Sequence, residues 1–351
     1  TDLVLNMHYS YYYFENETDN LKNPIPNKFK KYVNLYYIQF GLKKIFNKNI
    51  GIKLNKEDIN KIKNIINLIN EKFKVNIDYN NSIAVKNFKD ILLIYPFFSK
   101  VSHRIIKRTQ PKAVIYVSHS RTFPKILTQI CRKKNIPTIE IQHGLITENH
   151  ASYNYYKKII LKTFPEHIFL YGKLYKEINN FPLNNQNLYL TGLPFFDRKR
   201  NEYKNIDKLE DNNKTVILFV SDDTVGPVLS NIAYEVYTKL DSDKYKIIYK
   251  LHPNEINNKK GWQYLYPQLS KTKIEVIDNT HTELFYLFGI SHIVIGILST
   301  ALFESVGFGR KTILYKTVHT DYVKVLYEKG YAKLVENVDE LIEEIKKPIE
   351  N

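Results

Sequence analysis

Four stretches of this sequence place chemically competent side chains directly after short apolar runs. In Gln142-His143-Gly144 a histidine leaves the run 138–142. An imidazole with an unperturbed pKa near ~6.5 suits proton transfer around neutrality. Gly144 lets a ligand or a loop approach the backbone closely. The plainer role for such a histidine is a hydrogen bond to a neighbouring loop. In Lys250-Leu251-His252-Pro253, alternation turns Lys250 and His252 to one side of the chain, and Pro253 ends the run. His252 suits hydrogen-bond donation to a departing phosphate, and Lys250 suits neutralising it. In Ser299-Thr300-Ala301-Leu302-Phe303-Glu304, two hydroxyls precede a helix. Free N–H groups at a helix start attract anions, and either hydroxyl also suits an N-cap. Glu304, about a turn on, is placed to accept hydrogen bonds from ribose hydroxyls. In Val220-Ser221-Asp222-Asp223, Ser221 is read with the nucleotide site. Asp222 or Asp223 is either a proton acceptor or a loop cap. Asp241-Ser242-Asp243 imitates a metal-binding DxD triplet. It precedes a strand rather than following one, so a turn with local Asx hydrogen bonds is expected and no metal is implied.

These positions matter because of the elements around them. Apolar residues at 59, 62, 65, 66 and 69 predict a helix over 57–73, within a polar, Tyr- and Asn-rich segment that runs to about residue 90. From residue 90 the pattern alternates between helix and strand. Helices are expected at 91–108, with a break near Pro96, and at 124–134. Short strands are expected at 113–117, 138–142, 167–171 and 187–190. Residues 197–213 are charged and Asn-rich and read as a linker. A second series then gives strands at 215–220, 246–251, 274–277, 292–297 and 312–315. Its helices are expected at 228–239, 261–269, 282–288, 300–307 and 322–329, with a terminal helix over 338–347 packing back on the first domain. The expectation is an α/β protein of two Rossmann-like domains facing a cleft, with a helical N-terminal segment. The first domain covers 1–196, the linker 197–213, the second domain 214–335 and the terminal helix 336–351. Ligands of such sheets lie beyond the carboxyl ends of the strands. His143 and His252 should then face each other across the cleft.

Composition narrows the partners. Hydrophobic residues make up 43% and charged residues 25% of 351, a globular balance. No apolar run approaches the ~20 residues that cross a bilayer. Thr1-Asp2-Leu3 lacks the basic-then-apolar pattern of a leader. With Cys131 as the sole cysteine, no intrachain disulfide can form, and cytoplasmic residence is expected. The excess of 52 Lys and Arg over 36 acids, a net +16, suits polyanions. Abundant Lys, Asn, Ile and Tyr also read as codon bias of an AT-rich genome. Zinc-ligand spacing and arginine-rich segments are missing, so nucleic acid is not an expected partner. An anionic membrane surface is.

Taken in order, the motifs resemble those of GT-B glycosyltransferases of bacterial surface polysaccharide synthesis. Lys250-Leu251-His252-Pro253 with Ser299-Thr300 is similar to the HP and Ser-Ser/Thr motifs of bacterial sialyltransferases and polysialyltransferases, which hold the CMP part of the donor. Gln142-His143-Gly144, followed by these two, resembles the CDP-glycerol glycerophosphotransferases, in which the first histidine is assigned as base. Thr191-Gly192-Leu193-Pro194 and the segment from Ser299 to Glu304 resemble UDP-N-acetylglucosamine 2-epimerases, which share the fold. The resemblance spans about residues 112–335. The acidic-acidic-glycine motif of the sialyltransferases is not matched, because Asp222-Asp223 is followed by Thr224 and glycine comes only at Gly226. The resemblance implies an inverting, metal-independent transfer from a nucleotide sugar, first of all a CMP-activated acidic sugar, to a glycan acceptor in capsule or lipopolysaccharide synthesis. His143 or an acid near Asp222 would be the base. Gly144, Ser221, Lys250, Pro253, Ser299, Thr300 and Glu304 would bind the donor, and His252 would steady the leaving phosphate. A UDP-sugar 2-epimerase and a non-catalytic polysaccharide-assembly protein are the alternatives.

Overall fold

A computed structural model of the chain describes residues 13–15, 32–34, 54–157, 159–203, 206, 214–258 and 260–349. Most of segment 1–53 lies outside the described residues, and of the expected linker 197–213 so do 204–205 and 207–213, while 197–203 is helical rather than linker. Contacts divide the chain into two compact units, residues 1–140 with 161–167, and residues 141–160 with 168–351.

In the first unit, β1 (Tyr13–Glu15) and β2 (Tyr32–Asn34) pair in parallel. Helix α1 (Lys56–Phe73) opens on Asn55, whose side chain accepts the Asp58 N–H at 2.7 Å. It buries Ile62 and Ile66 against Val85 of α2 (Ile83–Thr109). The break expected at Pro96 does not occur, and α2 runs through it. A proline removes the hydrogen bond to the carbonyl four residues back. Pro96 and Leu92 both lie on the exposed side, where water can take that carbonyl. Farther on, Phe98 and Ile106 pack with Phe123, Ile126 and Ile130 of α3 (Thr122–Lys133). β3 (Val114–Tyr116) pairs in parallel with β4 (Thr138–Ile141). Just past β3, His119 Nδ1 meets Glu140 Oε2 of β4 at 2.5 Å, both side chains buried, under the edge of Phe164. β3 to β6 form one sheet in the order β3-β4-β5-β6, in which β5 (His167–Leu170) and β6 (Leu188–Leu190) pair in parallel and, from Ile168 on, are grouped with the second unit.

The second unit holds α4 (Lys173–Ile178), α5 (Pro194–Tyr203) and a six-stranded sheet. Its strands are β7 (Thr215–Val220), β8 (Tyr245–Lys250), β9 (Glu275–Ile277), β10 (Ile293–Gly296), β11 (Lys311–Tyr315) and β12 (Lys333–Val335). The order is β12-β11-β10-β7-β8-β9, all parallel. Successive side chains serve opposite faces. Ile217, Phe219 and Ile295 pack with α6 (Gly226–Lys239), and Leu218, Val220 and Val294 pack with α9 (Leu284–Ile290) and α10 (Thr300–Gly307). Burial on both faces explains strands that read as continuous apolar runs. Pro267 splits the expected helix 261–269 into α8 (Trp262–Leu265) and a later 3-10 turn, Leu269–Lys271.

α12 (Val338–Lys346) packs within the second unit. Val338, Leu341, Ile342 and Ile345 complete the cluster of Ile217, Leu229, Ala233 and Val236 in the second. Lys239 of α6 bonds Asp339 at 2.7 Å. Without α12, that end of the sheet would leave its apolar side in water.

Candidate functional site at the strand ends of the second sheet

From β7 the chain adds β8 and β9 toward one edge of the sheet, and β10, β11 and β12 build the other. The order reverses between β7 and β10, the switch point at which open α/β sheets hold their ligands. Register places three sequence motifs there side by side. Val220 pairs with Lys250, and Phe219 with Ile295. The segments from Ser221, from Leu251 and from Ile297 therefore leave neighbouring strand ends on one edge.

His252 is the N-cap of the short helix α7 (Pro253–Ile256). Its Nδ1 accepts the Asn254 N–H at 3.2 Å, and Glu255 Oε2 accepts the His252 N–H at 2.6 Å. A neutral imidazole that accepts at Nδ1 carries its proton on Nε2, so Nε2–H is left as a donor. Pro253 supplies the first helical φ at no cost in hydrogen bonding. Glu255 is buried and also takes the Ser221 hydroxyl at 2.8 Å and the Tyr266 hydroxyl. Ser221 Oγ lies 3.0 Å from Tyr249 Oη. Ser221 thus locks the loop after β7 to the His-Pro turn. The crowding is such that a Cβ on Gly226 would collide with Tyr266 and Glu255.

Asp222 Oδ1 accepts the Thr224 N–H at 3.0 Å, and its carbonyl takes the Gly226 N–H at 2.7 Å, a local Asx turn. Asp223 holds Asn254 Nδ2 at 2.8 Å and stands 4.0 Å from His252 Nδ1. Lys250 Nζ donates to the Asn279 carbonyl at 2.6 Å. Burial pulls its pKa below the usual lysine value, against the pull of Asp278. The DxD triplet closes a turn before β8, with Asp241 Oδ1 accepting the Asp243 N–H at 2.9 Å.

Ser299 is the N-cap of α10, its Oγ accepting the Ala301 N–H at 3.2 Å, and Thr300 is the first helical residue. One turn on, burial pushes the Glu304 carboxyl up to about 7. Two tyrosines lie near it. Burial first, then Glu304, pushes the Tyr171 phenol up to about 12. Tyr175 is pushed up by burial, then by Tyr171 and Glu304, and its ring centroid lies 6.4 Å from that of Phe303.

The same tyrosines connect to the His143 loop through Gln142, which is 1% exposed. Gln142 Oε1 accepts the Tyr171 N–H, and Nε2 donates to the Gly144 carbonyl, both at 2.8 Å. Its own N–H bonds the Phe169 carbonyl at 2.9 Å. His143 itself is exposed, and a Cβ on Gly144 would meet nothing within 4 Å. Leu145 packs on the cluster of Leu218 and Val294, and Glu148 pairs with Lys324. The His143 loop and the start of α10 thus belong to one connected body. His143 takes no part in the His252–Glu255–Ser221 network.

Sequence reading missed Gln142, Tyr171, Tyr175 and Glu255. Glu255 had a signal, since His-Pro-Asn-Glu has the spacing of a capping box. The tyrosines had none, being two among 28.

No family model matches this chain, and no curated protein does. Solved structures do. UDP-GlcNAc 2-epimerase from Neisseria meningitidis, bound to UDP-GlcNAc, aligns at 16% identity over 80% of this chain and 79% of that one, with a TM-score of 0.50. A putative UDP-N-acetylglucosamine 2-epimerase from Listeria monocytogenes aligns at 16% identity over 80% and 76%, also at 0.50. A glycosyltransferase from Rickettsia africae aligns at 18% identity over 77% and 72%, at 0.42. At these identities the likeness is one of fold: two Rossmann-like sheets of the GT-B kind.

Proposed function

We propose that this chain binds a nucleotide-activated sugar at the β7–β10 switch point and transfers the sugar to a glycan hydroxyl. One observation carries the reading. The His252 turn and the helix start at Ser299-Thr300 leave strand ends on either side of β7, and the loop of His143, which follows β4 of the other sheet, is grouped with them in one compact unit. The N-terminus of α10 offers backbone N–H groups and a partial positive charge to a phosphate. His252 Nε2–H and the part-buried Lys250 add donors where charge develops on the leaving nucleotide. Glu304 takes the ribose hydroxyls. The acceptor hydroxyl attacks the anomeric carbon, the bond to the nucleotide phosphate breaks, and the hydroxyl proton passes to His143, with Asp222 as the other candidate base. This chemistry needs no metal from the protein. The donor to try first is a cytidine-activated acidic sugar, on the motif resemblance. A UDP-sugar epimerase is the competing reading, because the epimerase structures named above share the fold and one of them binds UDP-GlcNAc.

Thermal unfolding with CMP, CDP and UDP tests the binding step. A ligand selective for the native state at 100 times its Kd stabilises it by about 2.7 kcal/mol. Stabilisation by CMP above UDP, with product formed only when a glycan acceptor is present, is the expected result. Stabilisation by UDP with turnover of a UDP-sugar alone replaces the transferase by an epimerase. No response to any nucleotide removes both.

A further inference from the structure

Two stretches of the second unit, 146–156 and 175–180, are laced together by side-chain amides. Asn179 Nδ2 donates to the carbonyls of Ile146 and Tyr175 at 2.9 and 2.8 Å. Asn154 Nδ2 donates to the Thr147 carbonyl at 2.7 Å and to Asn179 Oδ1 at 2.8 Å, and its own Oδ1 accepts the Asn180 N–H at 2.7 Å. The Tyr155 N–H reaches the Asn180 carbonyl at 3.2 Å. These amides spend their hydrogen bonds on the scaffold, and the two stretches line an open cleft of about 610 Å³, within the range of small-molecule sites. Its other walls are chemically different. Tyr155 is half-buried, and Tyr156 is 98% exposed. Glu148 and Glu177 pair with Lys324 and Lys173, but a carboxylate has acceptor sites left after one such pairing. Among the described residues that line the cleft, two are carboxylates and none is basic.

That lining selects its occupant. Carboxylates accept hydrogen bonds and repel anions, and tyrosine rings offer an apolar face with a polar tip. A molecule with hydroxyls to donate and a C–H face to lay on a ring satisfies both. The surroundings fit as well. Glu148 follows His143 by five residues, at most ~18 Å of chain. On the other side, α4 is ~9 Å long; it carries Tyr175, whose ring centroid lies 6.4 Å from that of Phe303 of α10, and Glu177, which lines the cleft. The cleft therefore adjoins both the loop of the proposed base and the helix of the proposed phosphate site. We propose that it is the acceptor subsite and takes an uncharged saccharide, with hydroxyls on Glu148 and Glu177 and a sugar face on Tyr156. The acceptor role rests on the transferase reading above, and the saccharide site does not.

The test is saturation-transfer NMR of the full chain with chitotriose, maltotriose and cellotriose as uncharged probes and trigalacturonic acid as an anionic one. An uncharged probe should bind, and the acid should bind more weakly. Glu148→Gln with Glu177→Gln should weaken the uncharged probe on the order of 10- to 100-fold, the difference between charged and neutral acceptors at two positions, and should narrow its lead over the acid. Tyr156→Ala should weaken it roughly 2- to 10-fold. Tyr264→Ala, which removes an exposed tyrosine elsewhere in the unit, should leave it unchanged. If the double glutamine variant loses the parent's thermal transition, Tyr156→Ala carries the test, because so exposed a side chain contributes little to the fold. Absence of binding by every uncharged probe overturns the proposal. So does tighter binding of the acid, or a Tyr156→Ala protein that binds like its parent. Stabilisation by a nucleotide without probe binding overturns it and leaves the transferase reading standing. Probe binding that the variants lose, with no response to any nucleotide, keeps the saccharide site and overturns its acceptor role.

Discussion

Glu304 is the side chain whose environment speaks most directly to chemistry. Desolvation raises its carboxyl from 4.5 to about 7. Below pH 4.5 the group is protonated in both the folded and unfolded chain and contributes no pH dependence. Between 4.5 and 7 the folded chain holds a proton that the unfolded chain has released. Stability therefore falls as pH rises through that window, and above about 7 the penalty is fully present. Urea unfolding of the parent and of Glu304→Gln from pH 4.5 to 8 should show the variant gaining on the parent as pH rises. Parallel curves would mean that the carboxyl is not desolvated. The two histidines should separate kinetically. His143→Ala should lower turnover by about 100- to 10,000-fold and leave donor affinity nearly intact, as a base acts mainly in the transition state. His252→Ala should weaken nucleotide binding along with turnover. If His143→Ala keeps more than about a tenth of parental turnover, proton transfer lies elsewhere, and Asp222 and Asp223 are next in line.

Among the elements, the start of α10 and the turn at α7 bear the load of the proposed site. Ser299→Ala removes a cap worth about 1 kcal/mol, and with Thr300→Ala it also removes the two hydroxyls of the proposed phosphate site. Isothermal titration should show weaker nucleotide binding even after the variant's lower stability is allowed for. Unchanged affinity in a folded double variant would move the phosphate away from this helix. Glu255→Ala should be more harmful. It strips the partner from the Ser221 and Tyr266 hydroxyls and the His252 N–H, and each buried donor left unpaired costs roughly 1–3 kcal/mol. Glu255→Gln keeps the shape but halves the acceptors, so its unfolding midpoint should fall between those of parent and alanine variant. A Glu255→Ala protein as stable as its parent would show that these hydrogen bonds are replaced by water.

At the scale of the whole molecule, Leu341→Ala tests where α12 belongs. Leu341 is fully buried in the cluster of the second sheet, so its truncation should cost about 2–5 kcal/mol. The loss should appear in the unfolding transition that nucleotide shifts, and a loss confined to a separate transition would return α12 to the first unit. What the sequence determined by itself was everything governed by local pattern. Doubly buried strands declare themselves as Thr-Val-Ile-Leu-Phe-Val or Ile-Val-Ile-Gly, and polar residues at their ends mark the edge where ligands gather. Pro253, through its fixed φ, and Ser299, through its side-chain cap on the Ala301 N–H, fix their helix starts by local geometry. The tertiary structure decided what depends on non-local neighbours. That includes the sheet order that sets β7 beside β10, the packing of α12 on α6, and the burial that shifts Glu304. It also includes the engagement of Ser221 by Glu255, 34 residues away in sequence. A strand's own residues record how deeply it is buried but not which strand lies beside it, and a carboxylate's pKa depends on neighbours that the chain delivers only when folded.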